Sequence, residues 1–123
     1  PEASSFAIIN ALGKRNLPEV LVLLAAEKKK GTNVLPLCAL ITFKLRQMLQ
    51  YLELSSSGFD YKGIVAELKL NPYVAKNLQR EVRGFTAQAL TKALLELAQL
   101  NIDLRKGGRD YTRLEEILLQ LLS

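Results

Sequence analysis

The sequence has no histidine and one cysteine, Cys38, among its 123 residues. Zinc sites are built from clustered cysteine and histidine, so a site of that kind cannot form. Nucleophilic triads of the Ser-His-Asp or Cys-His type need an imidazole and are excluded for the same reason. A single cysteine cannot form an intramolecular disulfide, and its place in the apolar run 37–41 predicts a small buried side chain.

Phosphate-binding glycine loops and long apolar runs are missing as well. The one Gly-Lys pair, Gly13-Lys14, has Ile8 where a P-loop has its upstream glycine and Arg15 where it has serine or threonine. The longest apolar run, residues 20–26, is too short to cross a bilayer. We therefore predict a domain that is not an enzyme, binds no metal or cofactor and does not enter a membrane.

The charge is moderately basic, with 17 Lys and Arg against 12 Asp and Glu, a net charge of +5. Residues 62–113 hold ten of these cations and five of the anions, so this stretch alone carries 10 − 5 = +5. Apolar residues make up 49% of the chain, enough for a buried core. The balance permits contact with nucleic acid or an acidic partner without requiring either.

Apolar residues recur at helical spacing along almost the whole chain, and long alternating runs typical of half-buried strands are absent. We predict an all-α fold, a compact single-domain bundle of about seven helices over residues 1–123. Start and stop signals place the first helix at about Ser5 to Gly13 with Ser4 or Ser5 as cap, the second from Pro18 to Lys30 before Gly31, and the third after Asn33 and ending at residues 55–58. The fourth helix is capped by Asp60, and the fifth starts at Asn71-Pro72. The sixth is capped by Thr86 and ended by Gly107-Gly108, and the seventh starts at Asp110.

Residues 64–78 have the pattern of two short crossed helices, as in a helix-turn-helix. The second helix would present Lys76 and Arg80, with Arg83 near its end, as candidate phosphate contacts, and Asn77 could reach a base. Crossed helices are also common in helical bundles, so this pattern predicts phosphate contact more than sequence-specific reading of DNA.

A basic turn lies at residues 104–111. Arg105, Lys106 and Arg109 flank two glycines, which would let the backbone approach a phosphate, and Tyr111 could stack on an unpaired base. The competing interpretation is a helix end with cations that complement the helix dipole and a tyrosine packed in the core.

The last helix is strongly apolar and leaves little polar face. Such a helix is either central in the core or also touches a partner. Its apolar residues are candidates for a subunit interface, with core burial as the alternative; they are Leu114, Ile117, Leu118, Leu121 and Leu122. On the sixth helix, the residues expected on one face are Leu90, Leu94, Leu97, Asn101 and Leu104.

Five short stretches, in order along the chain, resemble the C-terminal region of bacterial DNA polymerase III delta subunits. They are residues 10–15 (NALGKR), 45–50 (LRQMLQ), 68–76 (LKLNPYVAK), 83–86 (RGFT) and 101–107 (NIDLRKG). This sequence departs from the family pattern with Lys69 in place of a turn glycine, Asn101 in place of an acid and Lys106 in place of a small hydroxyl residue.

The resemblance implies a part in the clamp loader, the machine that opens the sliding clamp and places it on primed DNA in the cytoplasm. In that family the C-terminal helical domain joins the matching domains of the tau/gamma and delta-prime subunits in a collar. AAA+-like domains that precede it, absent from this chain, contact the clamp. The resemblance thus implies an assembly domain without catalysis, and a nucleic-acid-binding module is the alternative.

Overall fold

A computed structural model describes residues 2–107 and 110–123, with side chains from Ser5 onward. Within these ranges the chain forms seven α-helices and one short 3-10 helix, which confirms the predicted all-α fold. The α-helices are α1 (Glu2–Gly13), α2 (Leu17–Lys30), α3 (Val34–Ser56), α4 (Tyr61–Leu68), α5 (Pro72–Glu81), α6 (Ala87–Arg105) and α7 (Tyr111–Leu122), and the 3-10 helix (Val82–Gly84) lies between α5 and α6.

Short polar side chains cap the starts of most of these helices. The predicted caps Asp60, Thr86 and Asp110 each accept a hydrogen bond from the backbone N–H three residues on, at 2.8, 3.1 and 3.1 Å. Such a bond satisfies one of the N–H groups that a helix start leaves without a partner. The first helix ends at Gly13 as predicted, but its predicted start was wrong, because α1 begins at Glu2 and the expected caps Ser4 and Ser5 both lie inside it.

Helix α3 lies at the centre of the bundle, packed most extensively against α6 and also against α1, α4 and α5, while α7 packs against α6 and α2. Cys38 is fully buried in α3, as predicted, and burial raises the pKa of its thiol. The face of α6 differs in part from the prediction, because Leu94 and Asn101 are only half-buried. Its buried residues are Leu90, Ala93, Leu97, Leu100 and Leu104.

Helices α4 and α5 are joined by a tight turn that begins at Lys69. This residue has the left-handed backbone conformation, with φ 53° and ψ 47°, and its N–H donates to the carbonyl groups of Val65 and Ala66. Glycine is the usual residue at such a helix end, because a side chain is strained there. Lys69 thus adopts the conformation of the turn glycine that it replaces in the family pattern.

The end of α1 approaches α5 very closely at Gly13. A Cβ atom built on Gly13 would lie 2.1 Å from Oε2 and 2.6 Å from Cδ of Glu81. The Glu81 carboxylate forms an ion pair with Lys44 of α3, and both side chains are only 13% exposed. Gly13 therefore leaves the space in which a largely buried ion pair joins α3 to α5.

Candidate functional site

The five apolar residues of α7 that were candidates for a subunit interface all lie in the core of the chain itself. Leu114 and Leu118 are fully buried, and Ile117, Leu121 and Leu122 are each 6% exposed. Core burial, the alternative interpretation of this helix, accounts for all five. Contact of these five residues with a partner subunit stays a prediction, and Ile117 and Leu121 also line surface grooves between α6 and α7.

Other helices present large apolar side chains to solvent. On α6, Leu95 and Ile102 are 68% and 49% exposed, and the exposed Ala98 lies between them. Their spacing of i, i+3 and i+7 places them on one side of the helix. We call these three residues the α6 stripe. The remaining exposed large apolar residues are Phe6, Val22, Leu40, Phe43, Phe59, Tyr73 and Leu119.

The cations predicted near the second short helix come together in the structure. Lys76, Arg80 and Arg83 are exposed and line a groove of about 450 Å³ along α5 and the 3-10 helix. Asn77, which the sequence suggested for base contact, accepts a hydrogen bond from the Arg80 guanidinium through its side-chain oxygen. The aromatic ring of Tyr73, 77% exposed, borders the same groove.

A second groove, of about 540 Å³, adjoins the first and runs between α5 and the end of α1. Tyr73, Asn77 and Arg80 line both grooves, and Lys14 and Arg15 are added by the turn after α1. The Arg15 guanidinium is held in place from two sides. Its Nη1 donates to the carbonyl of Gly84 at 2.7 Å, and its Cζ lies 5.3 Å from the ring centroid of Phe85.

Two of the cations predicted at the end of α6, Arg105 and Lys106, belong to a different part of the molecule. Both are exposed there, and Arg105 donates to the Asn101 side chain at 2.9 Å. Neither Arg105 nor Lys106 lines either of the two grooves beside α5, so the predicted DNA contacts that the structure describes fall into separate groups. Arg109 lies outside the described residues.

Tyr111 does not present its ring for stacking in this structure. It is 8% exposed, and its hydroxyl donates to the Thr32 carbonyl at 2.8 Å, which ties α7 to the turn between α2 and α3. Burial and the nearby charge of Glu27 raise the pKa of the Tyr111 phenol. This agrees with the competing interpretation of a packed tyrosine.

The last turns of α2, next to this loop, contain the one buried charged residue of the described core, Glu27, which is 3% exposed. Burial by itself would raise the pKa of its carboxyl group. Hydrogen bonds from Lys30 at 3.2 Å and from the Thr32 hydroxyl at 3.1 Å, together with the charge of Lys30, outweigh burial and leave this pKa lowered. Glu27 is therefore ionised and fully paired at neutral pH.

Sequence reasoning missed Tyr73, Lys14 and Arg15 as parts of the cationic surface. The signal for Tyr73 was present, because Tyr73, Lys76 and Arg80 follow one another at i, i+3 and i+7 and share a face of α5. No local signal pairs the turn after α1 with α5, since that contact is made only by the tertiary fold.

The described residues contain no group of three or more His, Cys, Asp or Glu side chains placed to hold a metal ion. Among the same residues, no helix is both long and apolar enough to span a membrane.

The fold and these surfaces define an all-helical domain with exposed apolar and cationic faces. The family model for the DNA polymerase III delta subunit, C-terminal domain, matches residues 2–122, and the chain belongs to this family.

A sequence comparison and a structure comparison with delta proteins of Bacillus subtilis agree with the family match. The DNA polymerase III subunit delta of strain 168 is 29% identical over 122 residues, which cover 98% of this chain and 35% of that protein. The solved structure of the DNA clamp loader delta protein superimposes with a TM-score of 0.77 at 28% identity, covering 97% of this chain and 35% of that one. The chain thus spans about a third of the length of these relatives.

Proposed function

We propose that this domain assembles a clamp-loader delta subunit into its complex by joining the tau/gamma and delta-prime subunits. In this proposal the domain carries no catalytic step. It holds in place the AAA+-like domains of the same subunit, which contact the sliding clamp as it is loaded on primed DNA in the bacterial cytoplasm. Family membership supports the proposal, together with a fold that keeps its own core closed while presenting apolar helix faces.

The observation that carries the proposal is the α6 stripe. Leu95 is 68% exposed and Ile102 is 49% exposed on a helix whose opposite face is fully packed. Isolated exposed apolar residues are common on protein surfaces, but a row of them along one helix is typical of a face that another helix covers. An apolar contact of this kind predicts a complex that survives high salt, because screening weakens charge pairs and not apolar burial.

The test is size-exclusion chromatography with light scattering of the chain mixed with purified tau/gamma and delta-prime subunits. We expect a co-eluting complex that persists at high salt. The double variant Leu95→Ser/Ile102→Ser should bind about ten-fold more weakly or worse, because central apolar contacts carry much of an interface's free energy. Tyr73→Ser is the matched control, since it removes an exposed ring on a different helix.

The proposal fails if the unsubstituted chain forms no complex, or if the control weakens the complex as much as the double variant does. Thermal unfolding of all three proteins distinguishes lost binding from lost folding. Both α6 side chains are exposed, so the double variant should unfold within a few degrees of the original chain.

A further inference from the structure

The two adjoining grooves beside α5 concentrate the positive charge of the chain. Their linings contain five cations, which we call together with Tyr73 the α1–α5 surface; the cations are Lys14, Arg15, Lys76, Arg80 and Arg83. The same linings contain one carboxylate, Glu81, which is bound by Lys44. The α1–α5 linings thus hold 5 − 1 = +4 of the net +5 of the whole chain.

This concentration of charge makes the grooves a site for a polyanion. The remaining 12 cations and 11 anions of the sequence nearly cancel in sum, so the groove linings hold most of the net positive charge that attracts a polyanion. Two of the guanidinium groups are already oriented, Arg80 by Asn77 and Arg15 by the Gly84 carbonyl. Side chains that are held in the free protein lose less conformational entropy on binding.

Tyr73 adds an aromatic ring where the two grooves meet. It is 77% exposed in the first turn of α5, and Pro72 and the Asn71 cap fix the backbone on which it stands. A large ring that is exposed among cations leaves apolar surface in contact with water and has little packing to stabilise it. Unpaired nucleobases stack on such rings, whereas a duplex hides the faces of its bases.

From these observations we propose that the α1–α5 surface binds single-stranded nucleic acid, with the cations on successive phosphates and Tyr73 stacked against a base. An acidic protein segment would use the cations but would offer no ring to Tyr73. The site shares no residue with the α6 stripe, so it does not depend on the assembly role and can be tested separately.

The experiment is fluorescence anisotropy of a 5′-labelled oligo-dT of about 15 nucleotides, titrated with the 123-residue chain at several salt concentrations. We expect Tyr73→Ala to weaken binding at least about five-fold and Tyr73→Phe to retain it, because phenylalanine keeps the stacking face. The double variant Lys76→Ala/Arg83→Ala should lower the slope of log K against log salt by about 1.4, the value for two lost phosphate contacts on a single strand.

The matched control is Lys29→Ala/Lys92→Ala, which removes two exposed cations from α2 and α6. The proposal is overturned if oligo-dT does not bind, if the control double variant weakens binding as much as Lys76→Ala/Arg83→Ala, or if Tyr73→Ala binds like the original chain. It is also overturned if an unlabelled poly-glutamate peptide displaces the oligonucleotide as well as unlabelled oligo-dT does, because the surface would then be a general polyanion site. Displacement by oligo-dT and not by the peptide supports it.

Discussion

Gly13 ends α1 directly against the ion pair between Lys44 and Glu81, and its replacement by alanine sets two effects against each other. Alanine is the better helix former, and in a helix it is favoured over glycine by about 0.5–1 kcal/mol. Its Cβ, however, would lie 2.1 Å from Oε2 of Glu81, so the carboxylate has to leave its place beside Lys44. Both partners are only 13% exposed, which makes the loss of their pairing costly.

The cost of breaking the ion pair between Lys44 and Glu81 outweighs the gain in helix propensity. A hydrogen bond between charged groups contributes about 1.5–3 kcal/mol when its partners are shielded from water. After the gain in helix propensity is subtracted, Gly13→Ala should lower the free energy of unfolding by about 0.5–2.5 kcal/mol. For a domain of this size that corresponds to a fall of roughly 2–15 °C in the unfolding temperature.

A double-mutant cycle with Glu81→Ala tests the cause. In that background the carboxylate is already absent, so Gly13→Ala should be neutral or stabilising by up to about 1 kcal/mol. Urea unfolding of the four proteins, followed by circular dichroism, gives the coupling energy. The reasoning is refuted if Gly13→Ala stabilises the original chain, or if it costs the same with and without the Glu81 carboxylate.

Two further predictions concern Lys69, in the turn after α4, and Glu27, near the end of α2. Lys69→Gly should raise the free energy of unfolding by about 0.5–1 kcal/mol, since glycine adopts the left-handed conformation without strain. As a control, Ala66→Gly inside α4 should lower the free energy of unfolding by up to about 1 kcal/mol. Urea unfolding checks both variants, and a loss of stability in Lys69→Gly would contradict the assigned backbone strain. The lowered pKa of Glu27 means that its contribution to stability is present above the ordinary value of 4.5 and is lost as the pH falls through the lowered pKa. The free energy of unfolding, measured from pH 7 to below 4.5, should therefore fall less steeply in Glu27→Gln than in the original chain. An equal pH dependence in the two proteins would show that folding does not favour the ionised form of the Glu27 carboxyl group.

Most of the helical framework could be predicted from the sequence because helix starts are encoded locally. A cap such as Asp60 or Thr86 bonds a backbone N–H three residues away, so the signal and its partner lie in the same short stretch. The start of α1 escaped prediction because serine favours a cap position without requiring one, and Ser4 and Ser5 both lie inside the helix. The left-handed conformation of Lys69 could not be predicted either, since such a conformation is usually signalled by a glycine and this position has a lysine.

The surfaces were predicted less completely, because periodicity shows that a helix face is apolar but not what covers it. The apolar face of α7 packs against α2 and α6 of the same chain, which the periodicity of α7 alone does not show. The cationic surface beside α5 needed Lys14 and Arg15, which only the tertiary contact with α1 brings to it. In both cases the missing information was the neighbour of a helix and not the character of its residues.

The burial of α7 also bears on the proposed binding of a protein partner and an anionic ligand, since neither should require the core to open. If its most apolar helix had to open to form an interface, association would require the loss of side chains such as Leu114 and Leu118 from the core, at a cost of several kcal/mol for each large residue. The exposed apolar residues on α6 require no such opening. The α1–α5 surface contains a different set of residues, so a protein partner on α6 and an anionic ligand beside α5 do not compete for the same side chains. A folded core with separate apolar and cationic faces is therefore compatible with simultaneous binding, and substitutions on one face should leave binding at the other unchanged.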